Sequence, residues 1–441
     1  MATEVVHHAE GSPAVLFDNI PGYPPGHRVL VNSFGSLRRV ALTLGLPADA
    51  HPKDLLGKWR ETLAGLKPIP PSFVDDGPIM ENVKRGDDVD VLEFPTPKWH
   101  EADGGRYIGT GSCNITKDPE DGWVNLGTYR VMVHDSKRVG FYISPGKHGR
   151  IHRDKYFSRG EPCPVAVATG VPPALYLGCC TEIPYGLSEY DWAGGIAGDP
   201  VRVIRGKVTG LPIPADAEIV LEGFAYPQER LVEGPFGEWT GYYASASREE
   251  PVIDVKAIYF RNNPIIFGSP PSRPPDEQSR YRSLVRSAMV WDDVEKAGVP
   301  DVTGVWCHAA GGSRLFVVIS IKQRYPGHAR QAGHVAAMCH AGAYLGRYVV
   351  VVDDDIDVTD LEEVIWAMST RADPSGAIDV INRAWSGPLD PAIHPDHKGF
   401  NSRAIIDACR PYEWRDRFPK VNEPSPEVKR KSLEKWGYLA R

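Results

Sequence analysis

Glu233-Gly234-Pro235-Phe236-Gly237-Glu238 sets two carboxylates around a tight Gly-Pro-Phe-Gly insert, and Trp239-Thr240-Gly241-Tyr242-Tyr243 follows at once. On a regular strand, residues five apart face opposite sides, because side chains alternate. The insert can cancel that alternation. Glycine reaches backbone angles closed to other residues and proline fixes its own, so a bend can turn both acids toward one cavity. Two carboxylates in a shared pocket supply one proton donor and one charged partner at neutral pH. A surface turn with two solvated acids fits the same letters, and spacing alone leaves both readings open.

The surrounding chain narrows the setting. Its 441 residues give room for two or three domains. Hydrophobic content of 42% with 24% charged residues is that of an ordinary soluble globular protein. A formal net charge of −7 argues against general nucleic-acid binding, which needs basic surface to neutralise phosphates. The 44 glycines and 40 prolines imply many turns and short strands rather than a helical bundle. Met1–His8 lacks the charged and apolar regions of a signal peptide. No window approaches the roughly 18 apolar residues of a membrane span. A cytoplasmic location without a membrane partner is the expectation. The seven cysteines include no CxxC pair, which fits reduced thiols.

Along the chain the texture changes three times, predicting a mixed α+β protein. Residues 1–104 form an N-terminal α/β segment in which 28–66 read helically, with Ser33 as a cap and Pro52 opening a second helix. Residues 105–300 carry short β-type runs at Tyr129–Val133, Gly140–Ile143, Val165–Ala168, Glu218–Gly223 and Val252–Phe260, a β-rich barrel or sandwich. A helix begins around Gln278–Arg286. Residues 301–423 alternate strands (Gly304–His308, Leu315–Ile321, Tyr348–Val352) with helices (His328–Leu345, Asp360–Ser369), an α/β pattern. Residues 424–441 read as a charged tail helix.

A second cluster runs from Asn125 to His148, through Asn125-Leu126-Gly127-Thr128-Tyr129-Arg130, His134-Asp135 and Ser144-Pro145-Gly146-Lys147-His148. Glu189 stands in a later turn, Pro184–Asp191. Asn125, His148 and Glu189 offer two oxygens and a nitrogen, a set that suits Mn²⁺ or Mg²⁺ beside a phosphate. Their separations are too irregular to form a local metal motif. His134-Asp135 reads as a structural pair. The Asp353–Asp357 acids read as the end of a buried strand, capping the next helix or facing solvent. Cys179 and Cys180 have no local base and read as small packing residues. His328, His334 and His340 spread around their helix and share no face.

The order of these motifs, with Gly170-Val171-Pro172-Pro173-Ala174 and Tyr259-Phe260-Arg261-Asn262-Asn263, resembles the UbiD family of decarboxylases over nearly the whole chain. The resemblance implies a central split β-barrel that binds prenylated FMN and a C-terminal α/β oligomerisation domain. It implies that Asn125, His148 and Glu189 bind Mn²⁺, which clamps the flavin phosphate, with K⁺ nearby on backbone carbonyls. Thr128, Tyr129, Lys147 and a Cys179-Cys180-Thr181 strand would line the flavin, and Arg403 would reach its phosphate from the C-terminal domain. The opening acids become a Glu-Arg-Glu network, in which Glu233 braces Arg130 in a two-pronged bond and Glu238 moves the proton. The reaction implied is reversible, non-oxidative decarboxylation of an aromatic, heteroaromatic or α,β-unsaturated acid. A flavin prenyltransferase would supply the cofactor, and the protein would form a homodimer or homohexamer.

Two other readings stand beside it. A split-barrel flavin reductase using NAD(P)H is weakened by the lack of GxGxxG after a strand. A non-catalytic scaffold would have no use for Arg130, Glu233 and Glu238 together. For the substrate, Trp239, Tyr185, Glu182 and the Ser269–Pro275 segment with Arg273 stand near the pocket. If Glu182 or Arg273 faces the ring, phenolic and heteroaromatic acids lead.

Overall fold

A nine-stranded antiparallel sheet forms the centre of the chain in this computed structural model, which describes residues 11–437. Its middle is a long hairpin of Ile219–Glu233 and Arg248–Phe260. Alternation along these strands puts Val220, Ala257 and Tyr259 into one apolar core and Ile219, Leu221 and Ile258 into another, so the sheet is covered on both faces. Cys163–Thr169, Ser112–Lys117 and Val124–Gly127 extend the sheet on one side. Arg138–Gly140, Val131–Val133 and Arg106–Gly109 extend it on the other. The mixed α+β architecture expected from the sequence is what the chain forms.

The N-terminal reading needs correction. Arg28–Val31 is a strand, not the start of a helix, and it lies parallel to Ile265–Gly268, with Val29 and Val31 buried. It also pairs antiparallel with the short Val15–Phe17 strand, so it is the middle strand of a three-stranded sheet whose other edge lies more than 230 residues away. The helix begins later, at Leu37, and Ser36 rather than Ser33 caps it by accepting from Arg39 N. The Pro52–Ala64 helix is as expected, with proline at its first position, where the missing N–H costs nothing.

The Glu277–Lys296 helix leads from the central sheet into the C-terminal region. Asp276 caps it reciprocally with Ser279. There, Val302–Cys307, Phe316–Ile321, Tyr348–Asp353, Phe400–Asp407 and Ile378–Trp385 form a five-stranded sheet in that order, parallel at its centre and antiparallel at both edges. The expected long helix His328–Leu345 is broken at Cys339, whose extended backbone separates His328–Met338 from His340–Ala343. The tail helix runs Pro426–Trp436, and residues 438–441 lie outside the described residues. No described helix is long and apolar enough to cross a membrane.

Candidate active site

The bend at 233–238 does what its residue types suggest. Glu233 ends the long Ile219–Glu233 strand, and Gly234 takes φ +84°, a left-handed turn that side chains disfavour. Asp103 holds the far arm by accepting from Gly237 N at 2.9 Å, and Gly104 N donates to Pro235 O at 2.7 Å. Both carboxylates thereby reach one guanidinium. Arg130 Nη2 donates to Glu233 Oε2 at 2.7 Å and Nη1 to Glu238 Oε1 at 2.6 Å. Arg130 is thus shared between the two acids, not forked onto Glu233 alone.

Aromatic rings exclude water from this network. The Arg130 guanidinium lies 4.3 Å from the Tyr142 ring centre and 5.2 Å from that of Phe236. Tyr107, fully buried, donates its hydroxyl to Glu233 Oε1 at 3.0 Å. Glu233 therefore holds two donors. Glu238 has one, and among the described residues nothing donates to its Oε2. Burial pushes the Glu238 carboxyl above its usual range, Arg130 opposes this, and the Glu233 charge adds to it. The two acids share one cation but differ in their hydrogen bonds, two donors on Glu233 and one on Glu238.

Asn125, His148 and Glu189 come from three elements that meet around Tyr129. Asn125 sits on the Val124–Gly127 strand, and Glu189 opens the Glu189–Ala197 helix and accepts from Leu126 N at 2.7 Å. His148 opens the His148–Ser158 helix, where Gly149 N donates to the Tyr129 hydroxyl at 3.2 Å. A Cβ on Gly127 or Gly149 would lie within 2.3 or 2.7 Å of the Tyr129 ring, so both must be glycine for this packing. The His148 ring packs edge-on to Trp123 and Tyr185 at 5.1 and 5.4 Å.

The electrostatics of this trio fit a cation. Burial lifts the Glu189 carboxyl to about 8, and no basic side chain compensates it. Among the described residues the Asn125 amide nitrogen is buried without a well-formed hydrogen bond, close to the Tyr129 side chain. Burial and the neighbouring Lys147 charge keep His148 low, hence neutral, the form that ligates metals. Among the described residues no three His, Cys, Asp or Glu side chains gather around one point. The trio has two such groups, and its third member is an amide.

Cys179-Cys180-Thr181 is not a strand. Cys179 and Cys180 end the Pro173–Cys180 helix, and Thr181 caps it. The segment still adjoins Thr128: Thr128 N donates to Cys179 O at 3.2 Å, and the Thr128 hydroxyl lies 3.3 Å from Cys180 Sγ. The Thr181 hydroxyl turns back to Leu177 O at 2.7 Å. Burial raises both thiols, which suits packing rather than nucleophilic chemistry.

Beyond Thr181, Glu182 and Lys147, both named from the sequence, meet three arginines that the sequence reading missed. Glu182 is surrounded by Arg314 at 3.2 Å, Lys147 at 3.5 Å and Arg286 at 3.6 Å, and Arg282 lines the same cleft. Burial works to raise the Glu182 carboxyl, but Arg286, Arg314 and Lys147 overcome it and hold it well below the usual range. Glu182 is thus spent on cations and is not offered to a substrate ring. The one readable signal was Arg282 and Arg286 four residues apart on a helix. Arg314 also lies 5.9 Å from the ring centre of Trp239, the residue after Glu238, so the cation cluster and the acid pair border one region.

Arg403 does not join the cluster. It is fully buried and donates to the carbonyls of Ala337, Ala343 and Trp385, the last two at 2.5 Å, which commits its guanidinium to the backbone. The Asp353–Asp357 run is likewise an ion network: Asp353 and Asp355 pair with Arg371 and Arg410, while Asp360 caps the Leu361–Arg371 helix. Asp355 is exposed, as expected of this run, and pairs there with Arg371. Asp135 holds the 135–138 turn through Lys137 N and Arg138. Tyr185 is exposed and stacks on Trp123, and Arg273 is exposed.

Comparison with known proteins agrees with this geometry. Models of the N-terminal, Rift-related and C-terminal domains of 3-octaprenyl-4-hydroxybenzoate carboxy-lyase match residues 2–59, 72–274 and 281–408. A pyrrole-2-carboxylic acid decarboxylase of Pseudomonas aeruginosa is 34% identical over 420 residues, covering 91% of this chain and 84% of its own. A phenolic acid decarboxylase of Bacillus subtilis is 33% identical over 405 residues, with 91% and 84% covered. Among solved structures, the UbiD-class enzyme HmfF from Pelotomaculum thermopropionicum, in complex with FMN, superposes with a TM-score of 0.84. It is 30% identical, over 94% of this chain and 89% of that one. Three domain models in order and relatives over most of the chain leave one conclusion: the protein belongs to the UbiD family of carboxy-lyases.

Proposed function

We propose that this chain decarboxylates an aromatic or heteroaromatic acid with prenylated FMN, and that Glu238 delivers the proton replacing CO₂. The observation that carries the reading is the shared guanidinium: Arg130 holds Glu233 and Glu238 in one dry pocket, and burial favours the protonated form of Glu238. The relatives named above act on pyrrole-2-carboxylic and phenolic acids, which supports an aromatic substrate class. The prenylated flavin supplies an electron sink for the pair left when CO₂ departs, a capacity no side chain here has.

The residues divide the remaining work. Asn125, His148 and Glu189 hold a divalent ion, for which the uncompensated Glu189 carboxylate is the strongest argument. Lys147, Arg282, Arg286 and Arg314 receive the cofactor's phosphate end, taking the role first expected of Arg403. Thr128, Tyr129, Cys179, Cys180 and Thr181 form the wall between. Tyr107 and Arg130 both hydrogen-bond Glu233 and hold it in place as the brace, while Glu238 carries the mobile proton. The reverse reaction at high CO₂ uses the same groups. Val380, Trp385 and Phe400, exposed on the edge of the C-terminal sheet, present an apolar face to a second copy of the chain.

The test is to purify the protein from cells that make prenylated FMN, identify the bound cofactor by mass, and screen aromatic acids for CO₂ release. Turnover by the wild type, with none by a cofactor-loaded Glu238→Gln variant, is expected. Full activity in that variant would sink the assignment of the proton donor.

A further inference from the structure

A cavity of about 470 Å³ lies apart from the site just described. Phe17, Ile20, Pro97, Trp99, Pro270 and Pro275 form its apolar walls, and neither the acid pair nor Asn125, His148 or Glu189 lines it. The Arg106–Gly109 strand separates the two spaces: Arg106 lines this cavity, while its neighbour Tyr107 turns to the other face and reaches Glu233. The volume falls within the roughly 300–1,000 Å³ of small-molecule sites, as does the pattern of apolar walls with a few polar groups.

The polar groups are unbalanced in one direction. Two acids line the cavity, and both are spent on backbone donors: Asp276 accepts from Ser272 N and Ser279 N, and Glu277 from Asn32 N and Phe34 N. Three cations line it as well. Arg106 donates only to the Tyr23 hydroxyl, at 3.0 Å. Lys98 and Arg280 have no ion-pair partner and no side-chain hydrogen bond among the described residues. The Thr96 hydroxyl, on a residue 6% exposed, is buried with no partner and lines the same space. Buried hydroxyls of this kind nearly always find a partner.

We infer that this cavity is a second binding site, for an aromatic ring system carrying one anionic group. The ring lies among Trp99, Phe17 and the prolines, the anion meets Lys98 and Arg280, and Thr96 donates or accepts at the ring's polar edge. Flat apolar walls favour an aromatic body, and unpaired cations at the edge of a low-dielectric pocket favour an anion. The inference does not depend on the decarboxylation reading, because none of its residues takes part in that chemistry.

The probe is 6-bromo-2-naphthoate, soaked into crystals of the full-length protein and titrated in solution by calorimetry. A bromine anomalous peak beside Trp99 and Arg280 is expected. A peak only beside Arg130 overturns the proposal. In solution, the Lys98→Ala/Arg280→Ala double variant should weaken this binding event about tenfold or more, since hydrogen bonds to charged groups exceed neutral ones in strength. Ile20→Trp, a change at a half-buried wall position, should abolish it. The uncharged analogue 2-naphthalenemethanol should bind at least about tenfold more weakly than the acid. Equal affinity for the two, or an unchanged constant in the folded double variant, would show that charge does not select the ligand.

Discussion

Two ion networks face the same region of this protein with opposite imbalance. Around Arg130, one guanidinium serves two buried carboxylates. Around Glu182, one carboxylate meets Lys147, Arg286 and Arg314, with Arg282 in the same cleft. In the first, the shortage of cation leaves an acid that favours its proton. In the second, the cations outnumber the acid they surround. Under the proposed function, the missing partner is a proton in one case and the cofactor's phosphate in the other.

The largest effect should come from removing the shared cation. Arg130→Met leaves Glu233 and Glu238 facing each other uncompensated, and kcat should fall roughly 10²- to 10³-fold, in line with the 3–5 kcal/mol cost of breaking a buried ion pair. Steady-state decarboxylation by cofactor-loaded protein measures it. The pH profile gives the sign. Glu238 must be protonated to act, so kcat falls as pH rises through its pKa, above the ordinary 4.5 of a glutamic acid. With Arg130 gone that basic limb should move to still higher pH, because Arg130 now pulls the value down. A limb that stays in place would break the contrast between the two networks.

Next comes the other network. Arg314→Met should weaken FMN binding about a hundredfold, as loss of one buried charged contact to a phosphate costs about 2–5 kcal/mol; equilibrium dialysis reads it. Unchanged affinity would mean that the surplus cations serve some other group. Tyr107→Phe removes one of the donors on Glu233 and should lower kcat about tenfold, with KM nearly unchanged, since a hydrogen bond to a charged group contributes about 1.5–3 kcal/mol. The smallest effect sharpens the comparison from the opposite side. Glu182→Gln deletes the only carboxylate paired in the cluster, and FMN should bind a few-fold more tightly by the same dialysis.

The two networks also differ in how far they can be read from the letters. The acid pair is local: six residues, with a glycine and proline that permit a bend, bring Glu233 and Glu238 together, although the letters alone fitted a solvated surface turn as well. Arg130 joined them through the resemblance, which also placed Asn125, His148 and Glu189. The cation cluster draws on positions 147, 182, 282, 286 and 314, and beyond the helical spacing of 282 and 286 no short-range pattern joins those numbers. Arg403 shows the reverse failure. A basic residue near the right place in the chain was expected to reach outward, but a position carries no direction, and three backbone carbonyls claim it. The strand at Arg28–Val31 was misread because one of its two partners, Ile265–Gly268, is distant and the other, Val15–Phe17, is only three residues long.

The Glu277–Lys296 helix ties these sites together mechanically. It starts at the cavity lined by Asp276 and Glu277, passes Arg282 and Arg286 along the cation cleft, and ends against the C-terminal sheet. Twenty residues at 1.5 Å each make a rod of about 30 Å. A pivot of about 5° at its capped end moves the other end by about 2.6 Å, close to the length of a hydrogen bond. One continuous helix thus borders both the cavity at its capped end and the cation cleft further along, so the two spaces share a single rigid element of the fold.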